Sequence, residues 1–328
     1  MKQRTLGREG LATSAIGLGT MGMTMAYGAG DERGGEETIR RAHELGVTFL
    51  DTAELYGNGT GSNEKLVGRA VSGFREEMVI ATKFGWRLPY EQHMNAPYDS
   101  RPERIREVTE NSLRYLGTDY IDVLYQHRVD PAVPVEEVAG AVGELVAAGK
   151  VKYFGLSEAG PETIRRAHAT FPVSVLETEY SLFERAVEDA VLPAVRELGI
   201  GFVPYSPLGR GFLTGDFKPA ADYPADDMRG FDERWQPGNY ERNVDAVRQL
   251  TALAEGKGIT VTQLALAWLL AQGDDIVPIP GTRRPQRLAE NAAAADVALS
   301  AEDLARIDEI LPEGAFGGRY PAAMMPSW

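Results

Sequence analysis

The chain contains no cysteine, so disulfide bridges, thiolate nucleophiles and zinc–thiolate sites are excluded. Positive charge is also scarce: 34 Lys and Arg stand against 48 Asp and Glu, a net charge of −14 at pH 7. Phosphate backbones and anionic membranes are bound through clustered Lys and Arg, so this balance argues against a nucleic-acid or membrane partner. An anionic cofactor would need a local basic patch. Long hydrophobic runs are missing too. The best, Leu264-Ala-Leu-Ala-Trp-Leu-Leu270, is too short to span a bilayer. The segment Met1-Lys-Gln-Arg-Thr-Leu-Gly-Arg-Glu-Gly10 has no apolar stretch of signal-peptide type. The expectation is a cytoplasmic protein.

What remains is ordinary globular material. Hydrophobic residues make up 43% and charged residues 25% of the chain, enough for a proper core. A length of 328 residues suits two ordinary domains or one large α/β barrel. Residues 2–13 read as a hairpin turning at Gly7-Arg-Glu-Gly10. Strand-like runs follow at 15–19, 47–50, 78–82, 121–126, 151–156, 173–176, 201–203 and 276–279. Helical patterns lie between and after them, at 36–45, 62–71, 102–116, 135–148, 161–169, 187–198, 244–255, 262–271 and 285–294. A last helix, 300–311, starts with Ser300 as N-cap and Asp303 in a capping-box position. Eight strands alternating with helices are the mark of parallel βαβ units, and without a Pro/Gly/Ser-rich linker they favour one closed (β/α)8 barrel over an open sheet. The segments 84–101, 206–242 and 312–328 exceed simple connections. They carry Trp86, Phe231, Trp235, Phe316, Met324, Met325 and Trp328, residues suited to the wall of an apolar pocket. Mobile loops with incidental aromatics are the bland alternative.

Three strand-like runs end in chemistry. Gly46-Val-Thr-Phe-Leu50 leads into Asp51, with Tyr56 in the loop beyond; Met78-Val-Ile-Ala-Thr82 ends in Lys83; Ile121-Asp-Val-Leu-Tyr-Gln126 ends in His127. In a barrel of this kind the catalytic groups come from the carboxyl ends of several strands. A phenol, with a reference pKa of about 10, donates a proton poorly at neutral pH without help. A buried ammonium beside it would lower that pKa, a carboxylate would hold the ammonium, and an imidazole could orient a carbonyl oxygen. Singly, each has a bland reading: a cap or loop Asp, a solvated strand-end Lys, a structural His. Jointly, the four make a proton donor to an alkoxide.

Gly17-Leu-Gly19-Thr-Met-Gly22 matches the dinucleotide-binding pattern G-x-G-x-x-G to the letter. That motif needs a helix to open at this point, and Met23-Thr-Met-Ala-Tyr-Gly-Ala-Gly30 is poor helix. The glycines are read instead as letting backbone approach a ligand closely.

The ordered motifs Gly17-Leu-Gly-Thr-Met21, Phe49-Leu-Asp51-Thr-Ala-Glu-Leu-Tyr56-Gly, Thr82-Lys83, Tyr125-Gln-His127, Gly155-Leu-Ser157, Glu179-Tyr-Ser181, Tyr205-Ser-Pro-Leu-Gly-Arg-Gly-Phe-Leu-Thr-Gly215 and Pro278-Ile-Pro-Gly-Thr-Arg283 resemble the aldo-keto reductase superfamily over nearly the whole chain. The Gln-His-Arg-Val-Asp130 stretch is most similar to the branch of bacterial, fungal and plant auxin-induced-protein-like reductases. The resemblance implies a single (β/α)8 barrel domain over 1–328 that reduces aldehydes or ketones with NADPH and uses no metal. It makes Tyr56 the general acid, tuned by Lys83 and Asp51, with His127 positioning the carbonyl.

Arg283, Arg284 and Arg287 form a basic knot at the start of a helix, where phosphate binding is physically favoured, a solvated charge run being the alternative. By resemblance Gly281, Thr282, Arg283, Arg287, Glu290 and Asn291 hold the adenosine end of NADPH, and Arg283 and Arg287 pair with the 2′-phosphate. Ser206, Leu208, Gly209 and Arg210 run along the pyrophosphate, Tyr205 stacks on the nicotinamide, and Gly19, Thr20 and Met21 complete the cofactor site. Family members commonly hold the carboxamide with Ser, Asn and Gln; the matching positions here are Ser157, Glu158 and Glu177. An ionised Glu177 would accept but not donate, and would favour NADP+ over NADPH. Trp86 and Trp235 are the candidate substrate-pocket residues. No further Arg or Lys waits for an anion, which leans toward aromatic or medium-chain aliphatic aldehydes. The implied partner is a small-molecule carbonyl substrate, with the oligomeric state left open. Two other readings share the fold: a cofactor-sensing regulatory module, like the potassium-channel β subunits, and a barrel lyase or isomerase.

Overall fold

The apolar runs form a cylinder of parallel strands. In the computed structural model, which describes residues 1–90 and 97–320, a single sheet of seven parallel strands follows chain order. Its strands are β3 (Leu18–Gly19), β4 (Phe49–Asp51), β5 (Val79–Phe84), β6 (Ile121–Gln126), β7 (Val151–Ser157), β8 (Val173–Glu179) and β9 (Gly201–Tyr205). The first two strands of the chain, β1 (Gln3–Leu6) and β2 (Leu11–Ser14), make the expected antiparallel hairpin. The helices are α1 (Glu32–Glu44), α2 (Ser62–Val71), α3 (Pro102–Leu116), α4 (Val135–Ala147), α5 (Pro161–Thr170), α6 (Val191–Leu198), α7 (Asn239–Gly256), α8 (Val261–Ala271), α9 (Pro285–Ala293) and α10 (Ala301–Ile310).

The expected eighth strand is present as backbone pairing without a regular ladder. Val277 N donates to Phe202 O at 2.9 Å and Ile279 N to Pro204 O at 3.1 Å, while Pro278 O and Pro280 O accept from Gly17 N at 2.9 Å and Gly19 N at 3.4 Å. Pro278 and Pro280 have no N–H to give, so the segment closes the barrel through carbonyls on one side and alternate amides on the other. Gly17 is needed for that closure. A Cβ there would lie 2.9 Å from Ile279 Cγ2 and 3.0 Å from Phe49 O. The result is a (β/α)8 barrel.

Two apolar layers hold it. One lies between strands and helices and includes Ile80, Leu124, Phe154 and Leu176. The other fills the barrel with Phe49, Ala81, Val123, Val175, Val203 and Val277, and is capped from below by Leu6 and Leu11 of the hairpin. Alternate residues of each strand thus face helix or barrel axis. α10 starts on the expected capping box, with Asp303 N donating to Ser300 Oγ at 3.2 Å. α1 starts earlier than its pattern indicated, because Asp31 caps it and Gly35 packs against Met23. α7 also starts earlier, at Asn239, and α6 later, at Val191, after a 3-10 turn over Ala186–Glu188. β8 runs three residues past the sequence expectation, to Glu179, and that extension matters for the site. No helix among the described residues is long and apolar enough to cross a membrane.

Candidate active site

Parallel register brings the strand ends to one level: Gly19 pairs with Asp51, Lys83 with Tyr125, Ser157 with Glu177, and Glu179 with Tyr205. A cavity of about 640 Å³ opens there. Its inner end is walled by Asp51, Tyr56, Trp86, His127, Arg128, Ser157 and Glu177. Its outer part is walled by Ser206, Leu208, Gly281, Thr282, Arg283, Arg284 and Arg287.

The four strand-end residues converge. Lys83 Nζ lies 2.5 and 2.6 Å from the Asp51 carboxylate oxygens, 3.0 Å from Thr52 O and 3.3 Å from Tyr56 Oη. The Tyr56 and His127 rings meet edge-on at 6.1 Å, and Trp86 stands edge-on to His127 at 5.9 Å. All of Asp51, Tyr56, Lys83 and His127 are buried. Burial alone would lower Lys83, but the Asp51 and then the Glu177 carboxyl hold its ammonium well above the usual lysine range. Burial, aided by the Lys83 and Arg128 cations, pushes His127 well below 6.5, so its ring is neutral at physiological pH.

Tyr56 departs from the sequence expectation. Its phenol is raised, not lowered: burial is the largest cause, the acidic groups of Asp51 and Glu177 add to it, and Lys83 opposes them without prevailing. The resting group is a protonated phenol. Lys83 is better placed to stabilise the phenolate left after proton loss than to create one beforehand.

Glu177 sits 3.4 Å from Lys83 Nζ, with its carboxyl within hydrogen-bonding reach of Asp51. One ammonium faces two carboxyls. Burial and the Asp51 charge push Glu177 up to about 8, so it carries the proton at neutral pH. A protonated carboxyl both donates and accepts, as a glutamine amide does. The ionised form on which the expected NADP+ preference depends is therefore not the resting form at neutral pH.

Glu158 faces elsewhere. Both its oxygens take Arg319, at 2.7 Å each, and Oε1 also accepts from Glu179 N at 3.1 Å. Arg210 does line the cavity, but its guanidinium is held by Asp232 at 2.6 Å and Glu179 at 3.3 Å. Tyr205 lines the cavity with its hydroxyl 3.2 Å from that of Tyr320. Glu158, Ser206 and Arg210 all have positive φ, at 54°, 47° and 56°, a costly conformation for residues with side chains that gathers at ligand sites.

At the outer end, Arg283 donates to Gly22 O at 3.3 Å and Ala29 O at 2.5 Å, pinning the glycine-rich loop. Arg287 pairs with Asp216 at 2.9 Å, and the pair is largely solvated. Gly19 and Met21 line the cavity, whereas Thr20 is enclosed, its hydroxyl 2.7 Å from Asp51 O and 2.6 Å from Asn63 Oδ1. Gly209, Glu290 and Asn291 are not among the residues lining the cavity. Trp235 is not part of it either. Only 2% exposed, it packs in the core against Phe212 at 4.8 Å, because Asp232 and Arg234 anchor its turn inward to Arg210 and Glu179. Phe231 points to solvent. Met324, Met325 and Trp328, expected in the pocket wall, lie outside the described residues.

The sequence reading overlooked Arg128, Arg234 and Arg319. Arg128 follows His127 directly, so its position after a strand-end site residue was the available signal. Arg234 and Arg319 come from long connections that carry no pattern.

Comparison with known proteins gives the family. The model of the Aldo/keto reductase family matches residues 15–312. A probable aldo-keto reductase of Glycine max is 44% identical over 318 residues, covering 96% of this chain and 90% of that protein. The aldo-keto reductase yakc of Schizosaccharomyces pombe, whose name carries NADP(+), is 42% identical over 94% of this chain and 91% of its own length. Among solved structures, a glycerol dehydrogenase of Gluconobacter oxydans superposes with a TM-score of 0.85 at 30% identity, covering 99% of this chain and 98% of that one. An aldo-keto reductase of Klebsiella pneumoniae in complex with NADPH does so with a TM-score of 0.75 at 28% identity, covering 98% of this chain and 99% of that one. With a family model across nearly its whole length and relatives above 40% identical over more than nine-tenths of it, the chain belongs to the aldo/keto reductase family.

Proposed function

We propose that the protein reduces aldehydes or ketones to alcohols with NADPH, with Tyr56 as the general acid. The observation that carries this reading is the convergence of Tyr56, Lys83, Asp51 and His127 at the closed end of a cavity whose mouth is ringed by Arg283, Arg284 and Arg287. The cavity suits the cofactor. Its outer wall sets guanidinium groups around the amino end of α9, where backbone N–H groups and charge favour a phosphate, and Arg283 and Arg287 would meet the 2′-phosphate. The left-handed backbone at Ser206 and Arg210 supports a pyrophosphate track beside Leu208, and Ser157 and Glu177 would take the carboxamide, with Tyr205 against the ring.

When bound, NADPH supplies the hydride that adds to the carbonyl carbon. Neutral His127 offers a ring N–H to the carbonyl oxygen and fixes its position. Tyr56, a protonated phenol in the resting site, gives its proton to the oxygen as negative charge develops there. Lys83, held by Asp51, lies 3.3 Å from the phenol oxygen and stabilises the phenolate left behind. Trp86 walls the carbonyl pocket beside His127.

The test is NADPH consumption with an activated aromatic aldehyde. Replacing Tyr56 by Phe removes the proton donor and should lower kcat by roughly 10²–10⁴ while NADPH still binds. A wild-type protein that binds NADPH but turns over no member of a broad carbonyl panel would overturn the reading in favour of a cofactor-sensing module.

A further inference from the structure

Resting on the reductase reading, we infer that Arg128 is a specificity-determining residue that receives a carboxylate carried by the carbonyl substrate. The other cations buried around the cavity each have a carboxylate partner. Lys83 has Asp51, Arg210 has Asp232, Arg234 has Glu179 and Arg319 has Glu158. Arg128 is different. It is half-buried in the wall of the inner cavity, next in sequence to His127, and among the described residues no carboxylate lies within 4.0 Å of it.

Its contacts hold it in place without neutralising it. Nη1 donates to the His127 carbonyl at 2.8 Å and to Ser157 Oγ at 3.4 Å. A guanidinium has five N–H donors, and here Nε and Nη2 find no acceptor among the described residues. A charged, planar fork fixed on one edge and open on the other, half-buried in a cavity wall, is a receptor for a planar anion. A carboxylate matches it in geometry and in charge, one against one. A doubly charged phosphate would leave one negative charge unmatched by the single guanidinium, close to Asp51 and Glu177, two carboxyls that share one ammonium. Because Arg128 adjoins the residue that positions the carbonyl, the carboxylate and the reacting carbonyl must belong to one small molecule. This replaces the neutral aromatic or aliphatic aldehyde suggested by the loops with an oxo-acid.

The experiment compares 2-, 3- and 4-carboxybenzaldehyde with their methyl esters, which keep the ring and the reacting group and remove the charge. Wild type should favour at least one acid over its ester by about tenfold or more in kcat/KM, and Arg128→Gln should abolish that preference through KM. Arg128→Lys, which keeps the charge without the fork, should retain part of it. Equal selectivity in wild type and Arg128→Gln overturns the inference. So does a loss equal for acid and ester accompanied by weaker NADPH binding in fluorescence titration, which would assign Arg128 to the cofactor. A second arm needs neither turnover nor a variant: calorimetric titration of NADP+-loaded wild type with benzoate and with methyl benzoate. Benzoate should bind at least about tenfold more tightly. Its failure to do so overturns the inference even if aldehydes are reduced. Selective benzoate binding without any aldehyde reduction would instead sink the reductase reading and leave the carboxylate site standing.

Discussion

Glu177 and Glu179 leave the same strand two residues apart, and both are fully buried, yet the protein treats them oppositely. Burial and the neighbouring Asp51 push Glu177 up to about 8. Burial would raise Glu179 as well, but Arg210, Arg234 and Arg319 outweigh it and hold Glu179 below the usual glutamate range. The two side chains share a strand and a degree of burial. What separates them is counter-charge. Around Glu179, guanidinium groups and carboxylates alternate through Asp232, Glu184 and Glu158. Around Glu177, one ammonium serves two carboxyls. The first arrangement is structural and pins two long connections, at 232–235 and 319, to the end of β8. The second is chemically restless, because a proton must sit somewhere in it. Active sites gather such mismatches, and balanced neighbours keep them in place.

The largest effect should come from unbalancing the structural half. Glu179→Ala leaves three buried guanidinium groups short of an anion and should destabilise the fold by about 3–5 kcal/mol, measured by denaturant unfolding. A loss below about 1 kcal/mol would mean that water or local movement neutralises the network and the comparison fails. Next comes the reactive half. Lys83→Met removes the cation that pairs with Asp51 and Glu177 among the described residues and should lower kcat by roughly 10²–10³, about 3–4 kcal/mol in the barrier. An unaffected kcat would show that Tyr56 gives up its proton without the ammonium. The smallest effect sharpens the contrast most. In wild type, the affinity for NADP+ relative to NADPH should rise as pH passes upward through about 8, where Glu177 loses its proton and its charge can attract the oxidised ring. In Glu177→Gln the ratio should stay flat from pH 6 to 9, with a difference from wild type of roughly threefold to tenfold at the alkaline end. The same titration has a stability signature. Glu177 has a folded pKa raised from 4.5, so its contribution is full below pH 4.5 and declines as pH rises through about 8. Glu177→Gln should therefore gain on wild type in thermal unfolding at pH 9 and not at pH 4.

Much of this was legible in the chain. The strand ends at Asp51, Lys83 and His127 were readable because a parallel strand buried on both faces is a short apolar run, and a polar residue closing it has only the barrel mouth to face. The eighth strand was readable as a run and not as a ladder, since Pro278 and Pro280 keep the apolar pattern while withholding their amides. Trp235 was misplaced because an aromatic residue in a long connection looks the same whether it walls a pocket or fills a core. Arg234 and Arg319 lie 55 and 140 residues from Glu179 in sequence, and nothing local announces that they meet it.

The sequence by itself determined the alternation of strands and helices, the order of the motifs and the four residues gathered at the inner cavity. These follow from periodicity and strand polarity, which are local. The tertiary structure alone decided charge state: that Tyr56 rests as a phenol, that Glu177 holds a proton, that Glu158 belongs to Arg319, and that Arg128 stands without a carboxylate among the described residues. Burial and the count of nearby charges set those states, and both are sums over atoms that the fold brings together from distant parts of the chain.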